Sequence, residues 1–369
     1  MRQADVNLAA VRRNLDRIRE RSGADQLVFV VKANGYGHGA VEVAKAALES
    51  GVDLLGVADI TEALELRDAG VHAPTLAWLH GEGSDFAAAI AAEVDLAVSD
   101  AEQLERVIRA AESAATTARV HLEFDSGLGR GGVRAADWGS VCERAEAAEA
   151  AGAIVVVGLM SHLANAGSAA SQLQAERFAA AAQAANAAGL QPRLQLLEAS
   201  EAALTSSTHT GTGVRVGIAG YGLTPIDWSR PASEWGLEPV LRLRSEVAMV
   251  SEIAAGEGVS YGLDWRAPQD SRVALVPLGY ADGLPRAASG RAQVSIRGRR
   301  FDVVGRIAMD QVVVHVGDAG VAVGDPVVFW GDPAAGEPSV DEWASWAGTI
   351  GYELVTKIGR RVRYHWHED

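Results

Sequence analysis

Residues 30–39 read V-V-K-A-N-G-Y-G-H-G. An apolar run ends on Lys32, a glycine-rich turn follows and a helix begins near Ala40, so the stretch spells one strand, turn and helix unit. A lysine leaving an apolar strand end meets low-dielectric surroundings that disfavour its charge, and the resulting nucleophilic amine suits Schiff-base chemistry. Gly35, Gly37 and Gly39 let backbone approach a ligand, Tyr36 and His38 offer polar tips, and the helix start offers unpaired N–H groups. The same letters also suit a strand-end lysine beside a plain turn, and the rest of the chain has to decide.

The unit repeats. Short β-branched runs at 27–31, 53–57, 75–79, 94–98, 119–124, 154–159, 194–197 and 214–216 alternate with alanine-rich helical stretches such as 61–69, 101–112, 135–150 and 171–188. Eight such runs predict a (β/α)8 barrel of the TIM type, whereas a doubly wound open sheet gives no reason for the count. Reactive groups in such a barrel gather at the C-terminal strand ends, with phosphate near the last two strands. Lys32 follows the first run, Glu123, Asp125 and Arg130 belong to the end of the fifth, and His162 follows the sixth. Ser200 follows the seventh, and Arg215, Gly217 and Ile218 end the eighth, so all are expected at one mouth.

The pattern changes after Tyr221. Residues 224–239 contain Pro225, Pro231 and Pro239 with Trp228 and Trp235, a composition suited to a connection. Runs at 245–253, 272–277, 292–296, 312–316 and 326–330 then predict a C-terminal, mostly-β domain. The expected domains are 1–228, the barrel with its lysine, and 229–369, the β domain, with the first few residues open to joining the latter. Residues 1–21 read as an amphipathic helix whose stripe is Leu8, Val11, Leu15 and Ile18.

A chain of 369 residues with 48% hydrophobic and 22% charged residues is of ordinary globular composition and long enough for two cores. A formal charge of -15 argues against a nucleic-acid partner and favours a small molecule. Cys142 is the only cysteine, which excludes an internal disulfide and a cysteine-based metal cluster and suits a cytoplasmic location; no metal site is expected. No stretch has the apolar length of a membrane span, and the charged start lacks a signal peptide's apolar core, so no membrane partner is expected.

Seven motifs, in order across both expected domains, resemble the alanine racemases, the fold-type III family that binds pyridoxal phosphate. They are the lysine motif at 30–39, H-L-A at 162–164, V-R-V-G-I at 214–218, S-Y-G at 260–262, G-Y-A-D-G at 279–283, R-I-A-M-D at 306–310 and T-I-G-Y-E at 349–353. The resemblance implies a racemase of L- and D-alanine that supplies D-alanine for peptidoglycan and works as a homodimer with shared active sites. It implies that Lys32 binds the cofactor covalently, that Arg215 faces the pyridine nitrogen, and that Tyr36, Ser200, Tyr352 and the N–H groups of Gly217 and Ile218 hold the phosphate. Racemisation needs two acid/base groups on opposite faces of Cα. Lys32 matches one and Tyr261 the other, the latter contributed by the second subunit. His162 matches the histidine linked to that tyrosine and to the arginine, Arg130 and Met309 match residues that receive the substrate carboxylate, and Tyr280 and Asp310 fit the access channel.

Three positions depart from the family pattern. Glu123 stands where many members carry a carbamylated lysine beside the arginine matching Arg130, which implies a ready-made anion at that place. Ala199 replaces an asparagine before the phosphate serine, and Ala308 replaces the cysteine or serine before Met309. These departures keep open a racemase of serine, lysine or a broader set of amino acids. From another class, a non-catalytic pyridoxal-phosphate barrel shares the lysine but leaves residues after Pro239 without a purpose.

Overall fold

The computed structural model describes residues 1–206, 209–225 and 230–369. The chain forms two compact units, one of Leu15–Gly35 and Gly39–Gly220, the other of Met1–Asn14, Tyr36–His38 and Tyr221–Asp369. Trp228, and with it the expected boundary between 228 and 229, lies outside the described residues.

The first unit is a closed parallel barrel. Its strands are β1 Gln26–Val30, β2 Leu54–Val57, β3 Thr75–Ala77, β4 Asp95–Val98, β5 Ala118–Glu123, β6 Ile154–Met160, β7 Leu194–Leu196 and β8 Gly213–Val216. Each pairs with its successor, and β1 pairs with β8 to close the ring. All eight expected runs are strands of this barrel. They read as near-continuous apolar runs because a parallel strand is covered on both faces. Inside, Val28, Leu54, Leu76, Ala97, Met160, Leu194 and Leu196 pack into one cluster. Aspartates cap some of the helices between strands: Asp59 accepts from Glu62 N at the head of Ile60–Asp68, and Asp100 from Gln103 N at the head of Ala101–Ala114. Near the start of β4, Asp95 is buried and accepts from Arg119 Nε at 2.5 Å and pairs with His121 Nε2 at 3.0 Å. This cluster lies toward the N-terminal strand ends, where conserving the barrel rather than chemistry is the usual duty.

The second unit contains a nine-stranded sheet. Gln3–Asn7 lies within it, antiparallel to Leu241–Glu246 and parallel to Arg363–His367. The amphipathic helix expected from the first residue therefore begins only at Leu8. Over 3–7 the period is two, with Ala4 and Val6 buried, and the side chain of Asn7 then accepts from Ala10 N and marks the start of the helix. The expected run 245–253 is divided between Leu241–Glu246 and Met249–Ile253. Two helices, Val340–Ala347 and Gly351–Val355, join the sheet; Ser339 and Glu342 form a capping box at the first, and Trp343 is buried. The fold is thus an α/β barrel followed by a mostly-β domain. Among the described residues no helix is long and apolar enough to cross a membrane.

Candidate active site

Lys32 emerges two residues after the end of β1 into a backbone that no L-residue run adopts freely. Ala33, Asn34, Gly35, Tyr36 and Gly37 all have positive φ, between 51° and 78°. A left-handed non-glycine residue costs roughly 1–2 kcal/mol, so this turn is held by its surroundings. Ala33 N donates to Glu62 Oε1 at 2.6 Å, Gly35 N to Val31 O at 2.7 Å and Gly39 N to Asn34 O at 2.9 Å, while Asn34 Oδ1 accepts from Ala40 N. At Gly37 a Cβ would lie 1.9 Å from the carbonyl oxygen of Val355, so glycine is required there by space as well as by φ. The sequence announced a glycine-rich turn but not its left-handed course through Ala33, Asn34 and Tyr36.

In the barrel unit, Lys32 Nζ lies 5.6 Å from the centre of the Trp78 ring, and the Arg215 guanidinium lies 5.9 Å from the same ring. Burial, then the positive charges of Arg130 and Arg215, push the Lys32 amine below its ordinary pKa, against a smaller opposite pull from Glu62. Arg215 is itself buried; its Nη2 donates to Ser161 O at 3.0 Å and to His162 Nδ1 at 2.7 Å. Burial together with Arg215, Arg130 and Lys32 brings the His162 pKa down to about 3. His162 is therefore neutral near neutrality, accepts at Nδ1 and carries its proton on Nε2.

Ser200 Oγ accepts from Gly217 N at 3.0 Å and from Ala219 N at 3.4 Å. A buried hydroxyl beside the backbone N–H groups of Gly217 and Ala219 after β8 is a concavity suited to an anion. A cavity of about 700 Å³ is lined by Lys32, Trp78, Ser99, Glu123 and Arg130 among others. Ser99 Oγ donates to Glu123 Oε2 at 2.5 Å and fixes that carboxylate, while Arg130 is exposed at the rim. Arg130 rides on a loop shaped by Asp125 Oδ1, which accepts from Gly127 N and Gly129 N.

The other unit holds the remaining expected residues. Tyr36 stacks on Tyr221 at 4.9 Å and meets Tyr352 at 6.1 Å between ring centres. Tyr261, Met309 and Tyr280 are exposed, at 72%, 52% and 40%. Their loops are tied together: Ser260 Oγ donates to Arg306 O at 2.7 Å, Tyr280 N to Ala308 O at 3.0 Å and Ala281 N to Met309 O at 3.0 Å. Lys32, Glu123, Arg130, His162, Ser200, Arg215, Gly217 and Ile218 thus belong to the barrel unit, and Tyr36, Tyr261, Tyr280, Met309, Asp310 and Tyr352 to the other. Sequence reasoning missed Trp78 and Ser99. Both directly follow strands, β3 and β4, and that position was the available signal. Gly56 makes room for Trp78, since a Cβ there would sit 2.8 Å from its ring.

Two family models match the chain, "Alanine racemase, N-terminal domain" over residues 6–225 and "Alanine racemase, C-terminal domain" over residues 240–366. The chain belongs to the alanine racemase family. Alanine racemase of Mycolicibacterium smegmatis is 46% identical over 98% of this chain and 93% of its own. That of Frankia casuarinae is 44% identical over 97% of this chain and 94% of its own. The crystal structure of alanine racemase from a D-cycloserine-producing Streptomyces lavendulae superposes with a TM-score of 0.96 at 41% identity, covering 99% of this chain and 97% of that one. The alanine racemases are isomerases, and their relation to this chain spans both units rather than the barrel alone.

Proposed function

We propose that this alanine racemase family member interconverts L- and D-alanine with pyridoxal 5'-phosphate, using Lys32 and Tyr261 as two opposed acid/base groups. The observation that carries the reading is the coupled set at the barrel mouth, an amine of lowered pKa, Trp78 and the Arg215 and His162 pair. The residues fit the cofactor: Lys32 offers a primary amine able to bond its aldehyde, and Ser200 Oγ with the N–H of Gly217, 3.0 Å away, offers hydroxyl and amide donors for a phosphate. Tyr36, Tyr352 and the Ile218 N–H would complete that grip. When bound, pyridoxal phosphate withdraws electrons from the substrate's Cα–H bond and makes its proton removable.

The chain's own residues then divide the work. Lys32 Nζ, unprotonated more readily than an exposed lysine, takes or returns the proton on one face of Cα. The Tyr261 hydroxyl does so on the other, and its exposure on a single chain agrees with its serving a second copy in a cytoplasmic homodimer with shared sites. A phenol's ordinary pKa of about 10 means that the base needs cationic or hydrogen-bonding help near neutrality. Arg215, permanently charged, would disfavour protonation of the cofactor's ring nitrogen and so restrain side reactions. His162 orients Arg215 by accepting its N–H. Arg130 and the Met309 N–H receive the substrate carboxylate, and Tyr280 and Asp310 line the way in. The product D-alanine would serve peptidoglycan.

Purified protein with pyridoxal phosphate, offered each L-amino acid and read by chiral chromatography, is expected to turn over alanine first. In Lys32→Ala the cofactor's visible absorbance and the activity are expected to be lost together, by about a thousandfold in rate. Turnover of serine or lysine but not alanine would replace the substrate, and full activity in Lys32→Ala would overturn the mechanism.

A further inference from the structure

Met309 sits at the end of a short segment, 305–310, that is anchored at its start by the buried Ile307, whereas Met309 and Asp310 themselves are exposed. What holds that end is a carboxylate that no surface measure would reveal. Asp282 has no accessible surface, and it accepts from Arg2 Nε at 3.0 Å, from Arg361 Nε at 3.0 Å and from Gly279 N at 2.9 Å. Both arginines reach further, to Asp310. Arg361 Nη1 donates to Asp310 Oδ1 at 2.6 Å, and Arg2 Nη2 to Asp310 O at 3.2 Å. Two guanidiniums therefore bridge a buried aspartate to both the side chain and the main chain of the residue after Met309.

The backbone repeats the connection. Tyr280 N and Ala281 N donate to the carbonyls of Ala308 and Met309, each at 3.0 Å, and Gly359 N donates to Asp282 O at 3.1 Å. The two loops touch so closely that a Cβ on Gly279 would lie 2.4 Å from the carbonyl oxygens of Ala308 and Met309. Any shift of 279–283 is then passed to 305–310, and the element fixing 279–283 is the Asp282 carboxylate. Charge-assisted bonds of this kind are strong and directional, and a bidentate guanidinium constrains orientation as well as distance.

We propose that Asp282, which touches no substrate, is a positioning residue for substrate binding: with Arg2 and Arg361 it sets the place of the Met309 N–H. The proposal rests on the reading above in which that N–H receives the substrate carboxylate. It separates two parameters, because a binding group moved out of place raises KM more than it lowers kcat.

The test uses the full-length protein loaded with pyridoxal phosphate. Removing the charge of Asp282 strands two guanidiniums and endangers folding, so Asp282→Asn is accompanied by Arg361→Ala, Arg361→Lys, Arg2→Ala and the Arg2→Ala, Arg361→Ala pair. The expected result is a KM for alanine raised several-fold by either arginine change, about tenfold by both, with kcat within about twofold of wild type and with partial rescue in Arg361→Lys. Hydrogen exchange is expected to quicken in peptides covering 279–283 and 305–310 and not in the barrel strands. Folded variants with unchanged KM and unchanged exchange would overturn the proposal, as would equal losses in kcat and kcat/KM, with KM unchanged, that follow lowered thermal stability. If wild-type protein leaves alanine untouched, the substrate reading fails, and the exchange measurement alone decides whether Asp282 governs the Met309 segment.

Discussion

At the barrel mouth Arg215, Ser200, Gly217 and Ile218 are buried, and each charged group has a neighbour that shifts or orients it. In the other unit Tyr261 is 72% exposed and Met309 52% exposed, and what is buried is the carboxylate behind them, Asp282. One region gathers its chemistry at the mouth of a closed barrel, at or just beyond the ends of its strands. The other presents its chemistry on loops and fixes the loops. The contrast teaches that the barrel half carries its environment within itself, whereas Tyr261 acquires one only when something covers it. A second copy of the chain is the cover that the proposed mechanism requires.

The strongest way to break this comparison is to separate the two halves genetically. Tyr261→Phe removes only the hydroxyl and is expected to lower racemisation by about 10²–10⁴-fold, the range of a lost acid/base group, while leaving the cofactor bound. Exchange of the α-hydrogen with solvent deuterium is expected to survive for one enantiomer and be lost for the other, since one face of Cα keeps its base. Mixing this variant with Lys32→Ala should restore part of the wild-type rate, because a mixed dimer contains one site with both groups intact. Steady-state rates of the separate and mixed proteins check this. No recovery on mixing, with subunit exchange demonstrated, would place both bases on one chain.

The two regions also differed in how much of them could be read beforehand. The barrel was legible because its eight apolar runs recur with helices between them, and because strand ends are positions as well as residues, which put Lys32, His162 and Arg215 at one mouth. Trp78 and Ser99 obeyed the same rule and were passed over only because an aromatic or a serine after a strand carries no chemical flag. The left-handed course of 33–37 was not legible, since Ala33 and Tyr36 have no preference for it and are held there by partners distant in sequence. In the other unit, Gln3–Asn7 was hidden inside a longer helical pattern. Its strand state is decided by Leu241–Glu246 and Arg363–His367, more than two hundred residues away. The Asp282 clamp joins residues 2, 282, 310 and 361, and no local pattern contains such a group.

Glu123 sharpens the comparison within the barrel. Its Oε2 accepts from Ser99 at 2.5 Å, and it lines the same cavity as Lys32 and Arg130. A fixed carboxylate there is expected to orient the exposed Arg130 toward the substrate without any modification of the chain. Glu123→Ala is expected to raise KM for alanine about tenfold, equivalent to about 1.4 kcal/mol of binding, with a smaller effect on kcat. Glu123→Gln should fall between, as it keeps the hydrogen bond and loses the charge. Steady-state kinetics on both variants decide it. Unchanged kcat/KM and KM in Glu123→Ala would leave Arg130 in no need of an anion.

The smallest effect concerns protons rather than side chains, and it follows from the burial that distinguishes the barrel mouth. His162 has its pKa brought down to about 3 by burial, Arg215, Arg130 and Lys32, against about 6.5 for an unfolded histidine. Between these values the unfolded chain binds the proton and the folded chain does not, so stability falls as pH drops below about 6.5 and is fully present above it. From about pH 7 to about pH 5.8 the loss from this one residue is expected to be about 1 kcal/mol. His80, lowered to about 4, adds to it, and Asp341, raised to about 6, opposes it. His162→Gln keeps both of those groups, so the difference between wild type and variant isolates His162. Urea unfolding of cofactor-free protein at the two pH values measures it, and the variant should lose about 1 kcal/mol less than wild type on acidification. Equal losses would mean that His162 is protonated in the folded state, and then Arg215 could not be donating to its Nδ1.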